Sequence, residues 1–451
     1  MKKYILSLLF TFFSQNIVSA ENITIKGEVK TSVTEGTTIT YTNLDNLKED
    51  KLFTSKNRNF SFKFNNNKPI VVNINGLDLL IDVDKNIYIK ANMNDRENFY
   101  NNIVFSKEDK VNNFFLKEIE KNFYGDEKLL KLLDEKKYDE YILLLEKKMN
   151  TLSSKLEEDF NSKSISNPEY KYLNFQLNIF YFRMNAAIFN DKNFKNKNNI
   201  KLNFFLDEDL VKSINLGSYN LSLIVQALVM QNGFDELNTI NVLDYFSSNI
   251  KDTYVKELIS ASYIDRISNE LKIDELNRLQ SVLQKYITQK ELFNNTKLKI
   301  ELLQQLDKGK KAKDFIVYDV NNNPVKLSKY KNKFILLHFW ASWCGPCKSE
   351  YPHLIKTLND LKTNKDFIAV FVSIDTNKKE WEKYVNKYQK PKNMVSLITK
   401  DGADDKSTNL YNIYGVPISI LIDKDFNIIT KQAPMAQDNQ LKNEILKYLK
   451  K

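Results

Sequence analysis

The sequence predicts a multidomain chain with a small antiparallel β domain first, an all-α region in the middle and an α/β domain last. Three observations carry that reading. Short β-branched and aromatic runs fill residues 22–105. Between 108 and 308, apolar residues recur at three- and four-residue spacings. From 309 to 451, strand-like and helix-like segments alternate, the pattern of a sheet with helices on its faces. At 451 residues the chain is too long for one ordinary domain. Its 42% hydrophobic content can build real cores, which excludes wholesale disorder.

The first 20 residues read as an export signal. Lys2 and Lys3 precede an apolar run over 4–13, and Val18-Ser19-Ala20 is a small-residue cleavage site. The run is too short for a typical spanning helix, and no other stretch is long and apolar enough to span a bilayer. Cleavage after Ala20 would remove two lysines and no acid, so the formal charge of +10 would become +8. No cysteine follows the apolar run, so lipidation is not expected there. The competing reading is an uncleaved membrane anchor. The expected location is outside the cytoplasm, in the periplasm if the cell has two membranes.

In 22–105 the runs ITIKGEVK, TTITYTNL, FSFKF, IVVNI, LLIDV and NIYIKA are separated by Gly, Asn and Asp, as in a small sandwich or barrel. No catalytic constellation is visible there. In 108–308, Pro168, Gly217 and Gly233 mark breaks between helices. Tyr172, Phe175, Ile179 and Phe182 form one helix face and read as core. Phe180 and Tyr181 point off that face, as an interface would. The polar run DKGKKAKD at 307–314 reads as a hinge. After it come FIVYD, KFILLHFW, a helix to about Leu361, FIAVFVSID, KEWEKYVNKY, VSLI, a short helix near NLYNIY, PISILID, NIITK and a last helix QLKNEILKYL.

Positive charge does not point to nucleic acid. The lysines are interleaved with Glu and Asp along the whole chain, and no Arg-rich tract or binding motif occurs.

Chemistry concentrates at the only two cysteines, Cys344 and Cys347, in FWASWCGPCK. A Cys-x-x-Cys opening a helix after an apolar strand suits dithiol–disulfide exchange. The first thiol meets free N–H groups and the positive end of the helix dipole, which favour thiolate. The second lies one turn on, placed to resolve a mixed disulfide. Zinc is a poor alternative, because four ligands are needed and the only histidines are His338, in a predicted buried strand, and His353. A purely structural bridge would close too little chain to stabilise much. No metal and no cofactor is expected.

The stretch KAKDFIVYDVNNNPVKLSKYKNKFILLHFWASWCGPCKSEYP resembles the thioredoxin superfamily, and more closely its exported TlpA/ResA-like thiol–disulfide oxidoreductases. The resemblance covers about 309–451 and implies a thioredoxin-like fold there. It implies Cys344 as nucleophile, Cys347 as resolving thiol, a redox-active Cys344–Cys347 disulfide and Trp343 as the aromatic beside it. Gly345 and Pro346 resemble the dipeptide of strongly reducing members. Pro352 matches a helix kink, and Pro417 a cis-proline that would let Val416 pair with an extended substrate; an ordinary trans turn is the competing reading. Glu350 matches an acid found after the motif, or is solvated surface. His338 stands where thioredoxins carry a buried acid; it is either a proton carrier or a core histidine.

The resulting expectation is an exported reductase of disulfides in cysteine-containing exported proteins, re-reduced by a membrane thiol donor. Three alternatives stand beside it. One is an oxidase or isomerase of exported proteins. Another is a peroxidase, which suffers from the absence of any arginine in 309–451. The last is a partner-binding module with an appended redox domain. The substrate and oligomeric state are not readable.

Overall fold

The computed structural model describes residues 21–449 except 31–36, 44–46, 56–58, 67–68, 75–76, 82–86, 93–102, 106–108, 121–125, 190–204, 236, 388–389 and 414. The expected signal at 1–20, with its Val18-Ser19-Ala20 site, lies outside the described residues. Among those described, no helix is long and apolar enough to cross a membrane.

Among the described residues, eight strands come first: β1 (Glu21–Lys30), β2 (Thr37–Asn43), β3 (Lys48–Ser55), β4 (Asn59–Asn66), β5 (Ile70–Ile74), β6 (Leu77–Ile81), β7 (Ile87–Asn92) and β8 (Ile103–Phe105). They form two four-stranded sheets, ordered β4-β1-β7-β8 and β3-β2-β5-β6. The expectation of a purely antiparallel domain is corrected here: β1 and β7 run parallel, with Ile25 opposite Ile87. Parallel neighbours need a long crossover, and the intervening β2–β6 provide it. A local strand pattern does not encode that pairing.

Ten α-helices of the described residues follow: α1 (Lys110–Phe114), α2 (Glu127–Asp134), α3 (Tyr138–Asn161), α4 (Asn167–Phe189), α5 (Glu208–Ser213), α6 (Gly217–Gln231), α7 (Thr239–Asn249), α8 (Thr253–Ile267), α9 (Ile273–Tyr286) and α10 (Lys290–Gln305). Pro168 sits in the first turn of α4, where its missing N–H costs nothing. Gly233 follows α6 at a φ of +66°, the left-handed stop that glycine tolerates. Tyr172, Phe175, Ile179 and Phe182 are buried as expected. Phe180 is also buried, edge-on to Phe115 at 6.2 Å, so it belongs to core rather than to an open face.

The chain divides into two compact units. One comprises Met1–Phe234 with Ile250–Val255, the other Asp235–Asn249 with Lys256–Lys451. In the first, helices and sheets are stitched by buried amides. Asn112 of α1 exchanges two hydrogen bonds with the Leu80 backbone, accepting at 3.0 Å and donating at 2.9 Å. Asn215 pairs its backbone beside β5 and donates from its side chain to the Thr42 carbonyl.

The second unit is built on a seven-stranded sheet, ordered β10-β9-β13-β12-β11-β14-β15. Its strands are β9 (Ile316–Tyr318), β10 (Pro324–Lys326), β11 (Phe334–Trp340), β12 (Phe367–Ser373), β13 (Met394–Ile398), β14 (Ile418–Ile422) and β15 (Ile428–Thr430). Central β11 runs parallel to β12 and antiparallel to β14. Near-continuous apolar runs in β11 and β12 fit strands covered on both faces. Helices α11 (Gly345–Asp360), α12 (Lys378–Asn386), α13 (Lys406–Leu410) and α14 (Gln440–Leu449) complete the fold. The short helix expected near NLYNIY is α13, which overlaps that run at Asn409 and Leu410.

The expected hinge at 307–314 is corrected. Gly309 and Ala312 donate to the carbonyls of Ile428 and Phe426, and Leu306 is part of the sheet's own core. Lys310 and Lys311 keep their side chains in solvent while their backbone is engaged. Linker-like composition therefore reflected exposed side chains, not a free backbone.

Candidate active site

Strand β11 leads directly into the site. Ala341 accepts from the Cys344 N–H at 3.2 Å, closing a turn over 341–344. That turn leaves Trp343 62% exposed and sets Cys344 as the N-cap of α11. Pro346 occupies the first turn of the helix, where no N–H is missed. Cys344 and Cys347 are joined as a disulfide, with Cα atoms 5.3 Å apart. The Cys344 Sγ accepts from the Cys347 N–H at 3.1 Å, so a free backbone donor of the helix end points at that sulfur. Cys344 remains 4% exposed and Cys347 1%, while Gly345 and Pro346 are exposed between them.

The opposite wall is the chain entering β14. The Val416–Pro417 peptide is cis, which answers the choice left open by the sequence. The Val416 carbonyl oxygen lies 3.4 Å from the Cys344 Sγ. A Cβ added at Gly345 or at Gly415 would meet no atom within 4 Å beyond its chain neighbours, so the backbone is open to space at both positions. Pro352 is inside α11, where it removes one helix hydrogen bond.

His338 and Trp340 share the face of β11 covered by α11. Trp340 meets Tyr351 of α11 at 5.3 Å, and His338 lies tilted at 46° to Phe371 of β12, ring centroids 4.7 Å apart. His338 is fully buried, with Nδ1 2.8 Å from the Ser419 hydroxyl and Nε2 without a hydrogen-bond partner. A charged imidazolium needs acceptors at both nitrogens. Burial lowers its pKa from 6.5 to about 3. It is neutral near pH 7, which favours the core reading over the proton carrier.

Glu350 is not solvated surface. It is 2% exposed, accepts the Ala436 N–H at 2.9 Å, and burial raises its pKa. It lies three residues after Cys347, hence on the neighbouring helix position.

Asp375 was not anticipated. It is 2% exposed and holds the turn that carries the nucleophile. The Ser342 N–H and hydroxyl donate to its two oxygens at 2.8 and 2.7 Å, and the Ser373 hydroxyl donates at 2.5 Å. The available signal was an acid ending the apolar run FIAVFVSID, at the carboxyl edge of parallel strands where α/β sheets place their sites. The loop at 433–436 was also missed. Its Ala433 N–H donates to the Ser419 carbonyl, just beyond Pro417.

Comparison with known proteins finds relatives of the C-terminal third of the chain. A thioredoxin-like family profile matches residues 332–428. The thiol-disulfide oxidoreductase ResA of a Bacillus cereus strain is 30% identical over 152 residues, 33% of this chain and 80% of that protein. ResA of Bacillus subtilis (strain 168) is 25% identical over 127 residues, 28% of this chain and 67% of that protein. Among solved structures, the thioredoxin domain of a thiol-disulfide oxidoreductase from Bacteroides vulgatus is 30% identical, covering 32% of this chain and 99% of its own, with a TM-score of 0.29. The chain belongs to the ResA-like, thioredoxin-like thiol–disulfide oxidoreductases.

Proposed function

We propose that the chain is an exported dithiol reductase acting on disulfides of cysteine-containing exported proteins. The observation that carries this reading is Cys344 at the helix N-cap, facing a helix N–H and the Val416 carbonyl across an open edge. In the reduced enzyme the Cys344 thiolate attacks a target disulfide, forming a mixed disulfide and releasing one target thiolate. Cys347 then attacks the Cys344 sulfur, the second target thiol leaves, and the enzyme keeps the Cys344–Cys347 disulfide. Glu350 is the proton acceptor for Cys347, since burial makes the other candidate, His338, too weak a base, with a pKa of about 3. Val416 and Pro417 bind the target as an added extended segment, and exposed Trp343 supplies apolar contact.

Two electrons must return from a membrane thiol donor. Export rests on Lys2, Lys3, the apolar run and Val18-Ser19-Ala20. The reducing direction rests on the Gly345-Pro346 pair and is tested by the reduction potential, where about 30 mV corresponds to ~1.4 kcal/mol. A potential in the oxidising range would reassign the enzyme as an oxidase or isomerase.

The direct test is trapping in the producing cell. Cys347→Ser should accumulate mixed disulfides with target proteins, and Cys344→Ser none. Stable adducts on Cys347 alone would overturn the assignment.

A further inference from the structure

The second unit contains more than the matched redox fold. Helices α8 and α9 lie outside the 332–428 span, yet the turn between them reaches two loops of the site. The Asn412 Nδ2 donates to the Asn269 Oδ1 at 2.6 Å. The Lys431 Nζ donates to the Leu271 carbonyl at 3.3 Å.

These two loops flank β14. Asn412 lies on the approach to cis Pro417 and has a φ of +51°, a left-handed turn conformation that Asn adopts more readily than most residues with a side chain. Beside it, the Tyr411 hydroxyl donates to the Lys313 carbonyl at 2.7 Å. Lys431 follows β15 and begins the loop whose Ala433 and Ala436 N–H groups donate to the Ser419 carbonyl and to Glu350. One short turn therefore holds the chain on both sides of the strand that faces the disulfide. The helices are further joined to the redox core through Leu306, which is buried within it just after α10.

We infer that the Asn269–Leu271 turn is a positioning element for substrate binding, acting through Asn412 and Lys431 on the segment that contains Val416 and Pro417. This rests on the reading of Val416 and Pro417 as the substrate strand. The turn touches neither cysteine, so it acts on how often the binding edge is formed, not on the exchange itself. A loop that is formed only part of the time weakens apparent affinity by that fraction. The helical segment before residue 309 is thereby part of the enzyme's binding apparatus.

The test uses the full chain, insulin as disulfide substrate and dithiothreitol as reductant. Asn269→Ala and Asn412→Gly remove the same bond from opposite sides, glycine being tolerated at a φ of +51°, so the question survives if one of them fails to fold. Each should raise KM by roughly three- to tenfold, the range of one net hydrogen bond, with kcat and the Cys344–Cys347 reduction potential unchanged. The pair combined should add little to either alone. Asn269→Asp keeps an acceptor in place and should restore KM. Lys431→Met should raise KM independently.

Pro417→Ala serves as the control for the underlying reading. If it leaves KM unchanged, the substrate-strand reading fails. If it raises KM while the Asn269, Asn412 and Lys431 variants keep the wild-type value, only the inference fails. A change in potential or kcat with KM unchanged would also overturn it.

Discussion

His338 gives the most quantitative expectation. Folding holds it neutral, with a pKa lowered to about 3, whereas the unfolded chain binds a proton near 6.5. A depressed folded value means the stabilisation is complete above 6.5 and is lost as pH falls toward 3. Each pH unit below 6.5 costs about 1.4 kcal/mol. The second unit should lose about 2 kcal/mol between pH 7 and pH 5 from this group, and about 3 kcal/mol by pH 4. His338→Leu removes that dependence. It also orphans the Ser419 hydroxyl, at a cost of about 1–2 kcal/mol at every pH. The variant should therefore be less stable at pH 7, match the wild type between pH 5 and 6, and be more stable at pH 4. Urea denaturation of the oxidised full chain, followed by tryptophan fluorescence, reads this directly. All three tryptophans, Trp340, Trp343 and Trp381, lie in the second unit. The variant should also keep its insulin reduction rate at pH 7. Parallel stability curves for wild type and variant would refute the argument from burial, and a lost rate would restore the proton-carrier reading.

Other expectations follow from the same geometry. Asp375→Ala removes the acceptor of three hydrogen bonds and should cost about 3 kcal/mol, seen as a fall in Tm of roughly 6–12 °C for a unit of this size. Asp375→Asn, which keeps an acceptor for Ser342, should recover most of the insulin reduction rate; equal loss in both would deny the positioning role. Burial raises the pKa of Glu350, so its contribution to stability is present below the ordinary carboxylate value of ~4.3 and is lost as pH rises through the folded value. Glu350→Gln should thus match the wild type at low pH and exceed it in stability at pH 8. The same variant should slow resolution of mixed disulfides on the order of 10²-fold, measured by quenched-flow of the trapped adduct. N-terminal sequencing of the secreted product should begin at Glu21, and Met1 on a cytoplasmic product would refute export.

Local pattern was enough for much of this chain. Short β-branched and aromatic runs marked the first strands, three- and four-residue spacing marked the helices, and alternation of strand-like and helix-like segments marked the last sheet. Each of these signals is carried by neighbours in sequence, because side-chain direction along a strand or helix is set by backbone geometry alone. The cysteine pair was legible for the same reason: strand, turn and helix N-terminus are consecutive, so Cys344 and Cys347 come together without any distant contact.

What tertiary structure decided were the relations between distant segments. The parallel pairing of β1 with β7 depends on a crossover of five strands. The state of His338 depends on Ser419 and Phe371 closing over it, which no property of FILLHFW reveals. Asp375 gained its role by meeting Ser342 from the next strand. The 307–314 segment looked like a hinge because its side chains are polar, and became fixed because its backbone found Phe426 and Ile428. Asn269 and Asn412 stand 143 positions apart. Sequence supplied the chemical groups and their local frames, while long-range packing chose their partners and so their desolvation, protonation and reach.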